Sequence, residues 1–147
     1  MSYVLDASVA LRWYLREERS DAAESVRLRL IEEPALFALP ELFGYEVFSV
    51  LFRVHPHPWV TFRDGVLPLL HCGLLRYPLT EAVASRAARF GGFGLTGYDA
   101  AYAALAEELG ACWLTFDAGA HARLAAEKLS FDLNAGLPGS WATASAE

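Results

Sequence analysis

Short apolar runs alternate with helix-like segments along the whole chain, and this alternation restricts the possible folds more than any other feature. Five short runs are typical of strands, and helix signals separate most of them. Helices between strands favour a parallel sheet, because parallel neighbours need a long crossover connection. The strands are predicted at residues 2–5, 36–39, 74–78, 112–116 and 130–133.

The segments between these runs carry helix start and stop signals. Thr80 can cap one helix with Glu81 in its first turn, Pro34 ends another, and Gly110 ends a third. Helices are predicted at residues 8–16, 21–33, 40–54, 59–72, 80–90, 98–109 and 118–128. The expected fold is α/β: a three-layer α/β/α sandwich with a mostly parallel central sheet.

The chain is long enough for one compact core. Of its 147 residues, 54% are hydrophobic and 20% charged, which suits a single domain better than two. We predict one domain over residues 1–133 and a loosely ordered tail over residues 134–147. No charge-free apolar run approaches the ~18 residues of a membrane span, since Glu41 and Glu46 interrupt the richest stretch. With no secretory signal pattern at the N-terminus, we expect a cytoplasmic protein without membrane contact.

The residues that commonly bind zinc are sparse. Cys72 and Cys112 are the only cysteines and form no CxxC pair, so we expect two reduced core thiols rather than a disulfide or a zinc site. His55 and His57 form an HxH pattern, but prolines beside them predict an exposed rigid turn rather than a zinc site.

Four acids stand where the predicted fold can bring carboxylates together. Asp6 and Asp117 each follow a predicted strand, Asp99 opens a helix, and Glu46 lies inside an apolar helix with no cation three or four residues away. Parallel sheets bind ligands at the carboxyl ends of their strands, so all four can converge there. Buried carboxylates are costly unless a cation or hydrogen bonds offset the desolvation. A shared hard divalent cation would explain the pattern.

Three of these acids also have a purely structural explanation, which the sequence leaves open. Asp6, Asp99 and Asp117 stand at helix starts, where a carboxylate can cap the helix or favour its positive end. Ser8 offers an alternative cap next to Asp6, and Thr96 offers one before Asp99. Each neighbour would leave its acid free to turn toward a ligand.

The net charge of −6 argues against a protein that coats nucleic acid through bulk positive potential. A local contact is still available, because Arg12, Arg16 and Arg19 fall at i, i+4 and i+7 and would share one helix face. Arg12 and Arg16 are therefore candidate contacts for nucleic-acid phosphates. The same stripe is also typical of a solvated face that pairs with Glu17 or Glu18.

Four segments that carry the acids have a recognisable order and spacing. They are residues 3–10 (YVLDASVA), 40–47 (PELFGYEV), 96–102 (TGYDAAY) and 114–117 (LTFD). Each is weak alone, but together they cover nearly the whole chain and resemble the PIN-domain family, especially VapC-like toxins. By this resemblance the acidic quartet that holds Mg²⁺ or Mn²⁺ corresponds to Asp6, Glu46, Asp99 and Asp117. Polar positions lining the same pocket correspond to Ser8, Thr96 and Thr115.

The resemblance implies a metal-dependent endoribonuclease that acts as the toxin of a type II toxin–antitoxin pair. Mg²⁺ prefers oxygen ligands, keeps several waters and can activate one of them for attack on a phosphate, which agrees with four carboxylates. The implied partners are RNA, for which Arg12 and Arg16 are candidate contacts, a cognate antitoxin across the acidic groove, and a second copy of the chain. Several aromatic residues lie on predicted helices, and the sequence leaves two explanations for them. They form an exposed patch for dimerisation, or they fill the core of the monomer; the residues are Trp13, Phe43, Phe48, Phe52 and Trp59.

Other classes fit less well. A haloacid-dehalogenase-like phosphatase needs a second Asp two residues after Asp6, where this chain has Ser8. A receiver domain needs a Lys near a late strand end, whereas the single lysine, Lys128, falls in a predicted helix. The remaining alternative is a PIN fold that has lost activity and serves as a binding module in an RNA-processing or antitoxin complex.

Overall fold

Five short strands form the central sheet of this computed structural model, which describes residues 1–144. The strands are β1 (Tyr3–Leu5), β2 (Phe37–Pro40), β3 (Leu75–Tyr77), β4 (Cys112–Thr115) and β5 (Ser130–Asp132). Their spatial order is β3-β2-β1-β4-β5, and each neighbouring pair is parallel. The predicted α/β class and parallel sheet are confirmed.

The helices within the described range connect these strands or follow them. They are α1 (Ala7–Tyr14), α2 (Asp21–Glu32), α3 (Leu42–Val54), α4 (Pro58–Thr61), α5 (Leu67–Leu70), α6 (Glu81–Phe90), α7 (Gly97–Leu109) and α8 (Ala118–Arg123). In residues 1–144, none of them combines the length and apolar content needed to cross a bilayer.

The two faces of the sheet can be told apart at β1. Val4 pairs with Trp113 of β4, whose ring stacks on Tyr102 of α7 with centroids 5.6 Å apart and planes within 10°. Tyr3 points to the other face, because successive strand residues alternate, and the guanidinium carbon of Arg29 in α2 lies 5.8 Å from the centre of its ring. Helices α7 and α2 therefore cover opposite faces, which gives the three layers.

Burial follows the position of each strand in the sheet. The central strand β1 is buried at all three residues, as expected for a strand covered by helices on both faces. In the edge strand β3, by contrast, Leu75 and Arg76 are exposed. The largest fully buried side chains include Trp113, Tyr3, Tyr102, Phe37, Phe43 and Phe90.

Helix α1 is shorter than predicted. It ends at Tyr14, because Leu15 leaves the helical region (φ −106°, ψ 106°) and packs against the core, and Arg16–Glu18 then forms a 3₁₀ turn. The prediction that Arg12, Arg16 and Arg19 share one helix face is therefore wrong.

The single helix predicted over residues 59–72 is divided. A π-helical turn, Phe62–Val66, separates α4 from α5. The Tyr14 hydroxyl donates to the Gly65 carbonyl at 3.0 Å, and Pro68 has no N–H with which to continue a regular ladder. Gly65 is required here, because a Cβ would lie 2.6 Å from Tyr14 Cε1.

Three smaller predictions also need correction. Pro40 ends β2 instead of opening a helix, and α3 begins at Leu42. Helix α8 ends at Arg123, and Lys128 adopts a left-handed conformation (φ 55°) that a helix to residue 128 would not allow. Cys72 is exposed rather than a core thiol, while Cys112 is partly buried.

The tail packs on the domain instead of being loosely ordered from Asn134. The Asn134 side-chain amide donates to the Phe116 carbonyl at 2.9 Å. Trp141 lies 5.2 Å from the ring of Tyr3, and the guanidinium carbon of Arg29 lies 4.6 Å from the Trp141 ring centre. Asn134 and Trp141 therefore contact the domain, while the last part of the predicted tail, residues 145–147, lies outside the described residues; the division of the chain at residue 133 stays a prediction.

Candidate active site

The site is built where β1 and β4 end side by side. Leu5 pairs with Leu114, and the Asp6 N–H continues the ladder by donating to the Leu114 carbonyl at 3.1 Å. The next residues, Asp6 and Thr115, therefore meet at the carboxyl edge of the sheet, where Thr115 Oγ1 donates to Asp6 Oδ2 at 3.3 Å.

The buried carboxylate of Asp6 accepts three hydrogen bonds. Besides Thr115, the Ser8 N–H donates to Oδ2 at 3.1 Å, and Trp113 Nε1 donates to Oδ1 at 3.3 Å. An ionised carboxylate has about four acceptor positions, so one remains on Oδ1. The bond from Ser8 also makes Asp6 the N-cap of α1. The alternative in which Ser8 caps the helix is therefore wrong, and Asp6 is the cap.

Ser8 and Thr115 tie the next residues of the chain to the site. Ser8 Oγ accepts from the Phe116 N–H at 3.1 Å, and Thr115 Oγ1 accepts from the Asp117 N–H at 3.0 Å. Asp117 itself is exposed and caps α8 through Oδ1, which accepts from the Ala120 N–H at 2.9 Å. The capping explanation for Asp117 therefore holds, with its second carboxylate oxygen not used by the cap.

Asp99 stands in the first turn of α7. Thr96 caps this helix by accepting from the Asp99 N–H at 3.2 Å, as predicted, so the Asp99 side chain is not needed for capping. The residue is partly buried. Tyr102 follows three residues later and lies on the same side of the helix.

Glu46 reaches the cluster from α3 and is the least satisfied of the four acids. Its Oε1 is buried and completes no hydrogen bond within residues 1–144. The hydroxyl of Tyr102 is in the same situation. The two groups are close, and the Tyr102 hydroxyl lowers the pKa of Glu46. Their geometry is nevertheless not that of a formed hydrogen bond.

The electrostatics show that the acids share one environment. Burial raises the pKa of Asp6 to about 6, with a contribution from Asp99, although the hydrogen bonds from Ser8 and Trp113 oppose the rise. Burial raises the pKa of Glu46 to about 7, and both Asp6 and Asp99 add to this. The pKa of Asp99 is also raised, by burial and then by Asp117. Asp6, Glu46 and Asp99 are thus harder to ionise chiefly because they are buried, and further because another acid lies nearby.

The chemistry of these residues fits a hard divalent cation, but their spacing limits how many of them can bind one ion directly. The donors are carboxylate and hydroxyl oxygens, the Oε1 atom of Glu46 lacks a hydrogen bond within residues 1–144, and burial makes Asp6 and Glu46 costly to ionise without a cation. In residues 1–144, however, no three His, Cys, Asp or Glu side chains are close enough to hold one ion together. Mg²⁺ tolerates this, because it keeps several waters and is usually bound by one or two carboxylates.

An apolar cleft opens beside Glu46. It has a volume of about 500 Å³ and is lined by Tyr45, Glu46, Phe48, Phe52, Tyr98 and neighbouring α3 residues. Of the aromatics singled out in the sequence, Phe43 is fully buried and Trp13 is tied to α2 through its Nε1, which donates to the Ala23 carbonyl at 2.7 Å. Phe48, Phe52 and Trp59 remain exposed, Phe52 at 70%. The helix aromatics thus divide between the core and an open face.

The two arginines proposed as phosphate contacts lie in different places. The guanidinium carbon of Arg12 lies 3.8 Å from the ring centre of Phe116, next to Thr115 and Asp117, and Arg12 NH1 donates to the Glu18 carbonyl. Arg16 is exposed in the 3₁₀ turn and lines a separate cleft with His55. Of the two, only Arg12 packs on Phe116, the residue between Thr115 and Asp117, while the positive charge that acts on Asp99 is that of Arg123.

Two residues of the site, Trp113 and Tyr102, were not predicted from the sequence. A signal for each was present: Trp113 shares a strand face with Thr115 by the two-residue period, and Tyr102 shares a helix face with Asp99. Neither signal says which acid the side chain meets, because that depends on how β1 and β4 pair and how α7 packs.

Comparisons with known proteins agree with this architecture. A family model described as PIN domain matches residues 3–127. The ribonuclease VapC3 of Pyrobaculum aerophilum is 32% identical over 123 residues, which cover 80% of this chain and 90% of that protein. The crystal structure of PAE2754 from Pyrobaculum aerophilum has a TM-score of 0.69 at 21% identity, covering 100% of this chain and 97% of that one. A toxin–antitoxin complex from Klebsiella pneumoniae has a TM-score of 0.62 at 16% identity, covering 82% and 91%. The predicted resemblance is confirmed.

Proposed function

The chain belongs to the PIN domain family, and from this membership and its acid cluster we propose that it is a Mg²⁺- or Mn²⁺-dependent endoribonuclease and the toxin of a toxin–antitoxin pair. The observation that carries the proposal is the mutual electrostatic influence of three acids: Asp6 and Asp99 both raise the pKa of Glu46, and Asp99 raises that of Asp6. The name of the 32% identical relative, a VapC ribonuclease, supports RNA as the substrate. We place its action in the cytoplasm.

Each acid has a role that follows from its surroundings. Asp6 and Asp99 would hold the cation, and Asp6 has one acceptor position left on Oδ1 after its three hydrogen bonds. Glu46 would orient the attacking water through its carboxylate. Asp117, at the exposed margin, completes the negative field with the oxygen that does not cap α8.

The reaction is hydrolysis of an RNA phosphodiester bond. Water adds to the phosphorus while the bond to the leaving ribose oxygen breaks and that oxygen takes up a proton. When bound, the cation would activate water and stabilise negative charge on the phosphate. The protein contributes the fixed position of Asp6, which two strand ends hold in place.

Cleavage of a mixed pool of transfer and ribosomal RNA tests this function. We expect cuts with Mg²⁺ or Mn²⁺, none with a chelator, and none with Asp6→Asn. The absence of cuts by the wild-type protein under all conditions would contradict the proposal and favour a silent PIN-fold binding module. Cuts that survive the chelator would contradict the metal assignment.

We propose that a cognate antitoxin covers the acid cluster. The apolar cleft beside Glu46 suits an apolar segment, and the acids beyond it suit an arginine at its end. The toxin–antitoxin complex among the similar structures supports a partner of this kind. An arginine-bearing peptide with apolar flanks should inhibit cleavage, and replacing its arginine by glutamine should relieve the inhibition. Equal inhibition by both peptides would contradict the proposed charge pairing.

We further propose a homodimer formed through the exposed aromatic residues of α3 and α4. Because Phe48 and Phe52 also line the cleft proposed for the antitoxin, the second copy and the antitoxin would compete for these residues. Phe48 and Phe52 stack with centroids 6.0 Å apart, and Trp59 is exposed nearby in sequence. Contiguous exposed apolar surface of this kind commonly marks an interface. Light scattering should show a dimer for the wild type and a monomer for Phe52→Glu. A wild-type monomer would contradict the homodimer, and a dimer in both would place the interface elsewhere.

A further inference from the structure

A stacked pair of aromatic rings joins the elements that carry the acids. Trp113 of β4 and Tyr102 of α7 are both fully buried, with ring planes within 10° of parallel. At one end of the pair, the Trp113 indole N–H donates to Asp6 Oδ1 at 3.3 Å. Trp113 has a single donor, so this bond uses its whole hydrogen-bonding capacity.

The other end of the pair carries a hydroxyl with no completed partner. Tyr102 and Glu46 contribute the only buried side-chain oxygens without a hydrogen bond among the residues that the structure describes. One is a donor and the other an acceptor, and a buried polar group is unfavourable until it is paired. The Tyr102 hydroxyl is therefore matched to Glu46 Oε1 by chemistry and by place.

We propose that Trp113 and Tyr102 are positioning residues of the site, in which the indole N–H orients Asp6 and the phenol hydroxyl orients Glu46. The stacked rings transmit the position of each acid to the other, because neither ring can tilt in the packed core without moving its neighbour. Partners that stand behind metal-binding carboxylates fix their direction and set their affinity. The role of the acids in binding the cation rests on the proposed function. Their orientation by Trp113 and Tyr102 does not depend on it.

Substitutions that remove only the polar atom test the proposal. Tyr102→Phe keeps the ring and deletes the hydroxyl, and Trp113→Phe keeps a buried ring and deletes the N–H. Tyr3→Phe and Trp141→Phe are matched controls, since both lie on the opposite face of the sheet and Tyr3 is as buried as Tyr102. Each variant is stripped with a chelator and then titrated with Mn²⁺ by calorimetry, and its cleavage constants and urea unfolding are measured.

We expect Mn²⁺ affinity and kcat to fall by about tenfold or more in both positioning variants, with KM for RNA unchanged. The metal-free Tyr102→Phe protein should resist urea as well as the wild type or better, because an unpaired buried hydroxyl has been removed. Reduced function with undiminished stability is a signature that a merely structural tyrosine would not produce. The control variants should bind Mn²⁺ and cleave as the wild type does.

Wild-type Mn²⁺ affinity and kcat in Tyr102→Phe and Trp113→Phe would overturn the proposal, as would a loss confined to urea resistance. If Trp113→Phe fails to fold, Tyr102→Phe decides the question by itself. A wild-type protein that binds Mn²⁺ without cleaving RNA refutes the proposed function, while the Mn²⁺ titrations still test the positioning. A wild-type protein that binds no Mn²⁺ overturns both.

Discussion

Asp6 is buried and Glu46 is partly buried, with its Oε1 atom inside, and the polar surroundings of the two acids differ. Three donors, from Ser8, Thr115 and Trp113, reach the carboxylate of Asp6. The Oε1 atom of Glu46 has none within residues 1–144. Both pKa values are raised, and that of Glu46 reaches the higher value.

The difference comes from the elements that carry the two residues. At the end of a strand, the neighbouring strand and the following helix start both present donors at fixed spacing. In the middle of a helix, the backbone N–H groups are used within the helix, so a side chain must find its donors on other elements. Asp6 is therefore held by the fold, whereas Glu46 retains capacity for a ligand or for Tyr102.

The largest effect is expected from Asp6→Asn. The substitution removes a charge and turns an N–H₂ group toward donors from Ser8, Thr115 or Trp113, so cleavage should fall by more than about 100-fold. Asp132→Asn is the matched control, because Asp132 ends β5, the strand beyond β4, and within residues 1–144 its carboxylate bonds only to Asn134. Equal losses of cleavage in both variants would show that cleavage does not depend on the acid cluster.

The pH dependence of stability should follow from the raised pKa values. Between the ordinary carboxyl pKa of about 4 and the raised values of about 6 and 7, the native state binds more protons than the unfolded state. The free energy of unfolding of metal-free protein should therefore decrease as pH rises from about 4 to about 8, and the share of Asp6, up to about 3 kcal/mol, should be lost mainly between about pH 4 and pH 6.

Urea unfolding in the presence of a chelator at several pH values measures this decrease. Mn²⁺ should restore stability at the upper end of the range, because it binds the ionised acids of the native state. Asp6→Asn should flatten the curve and Asp132→Asn should leave it unchanged. A stability that rises over the same range would contradict the interpretation.

Glu46→Gln should weaken Mn²⁺ binding by about tenfold, less than Asp6→Asn. Above pH 7 the metal-free variant should be at least as stable as the wild type, because a carboxylate that is costly to ionise has been removed. Glu41→Gln is the control, since Glu41 forms an exposed ion pair with Arg76 at 2.9 Å outside the cluster. A Glu46→Gln protein that binds Mn²⁺ as the wild type does would remove Glu46 from the site.

The smallest effect is expected for the arginines. Arg12→Ala should raise KM for RNA a few-fold, because Arg12 packs on Phe116, which precedes Asp117. The slope of log affinity for RNA against log salt concentration should also become shallower by about 1, the loss of one phosphate contact. Arg16→Ala should leave both unchanged, since Arg16 lies in a separate turn. Equal changes in the two variants would contradict this separation.

Some predictions that depend only on neighbours in sequence were accurate. Thr96 and Thr80 cap their helices as expected, because a cap needs only the next three residues. Predictions that depend on distant residues were less accurate. Helix α1 stops where Leu15 turns into the core, and the helix after Pro58 widens where Gly65 meets Tyr14, a residue 51 positions away.

The amino-acid sequence by itself determined the alternation of strands and helices, the parallel sheet and the identity of the four acids, since apolar period and helix signals act locally. The tertiary structure decided that Asp6 is paired and Glu46 is not, and that Trp113 and Tyr102 stand behind them. These relations join residues as far apart as Asp6 and Trp113, at 107 positions. They depend on strand register and helix packing, which a sequence pattern does not specify.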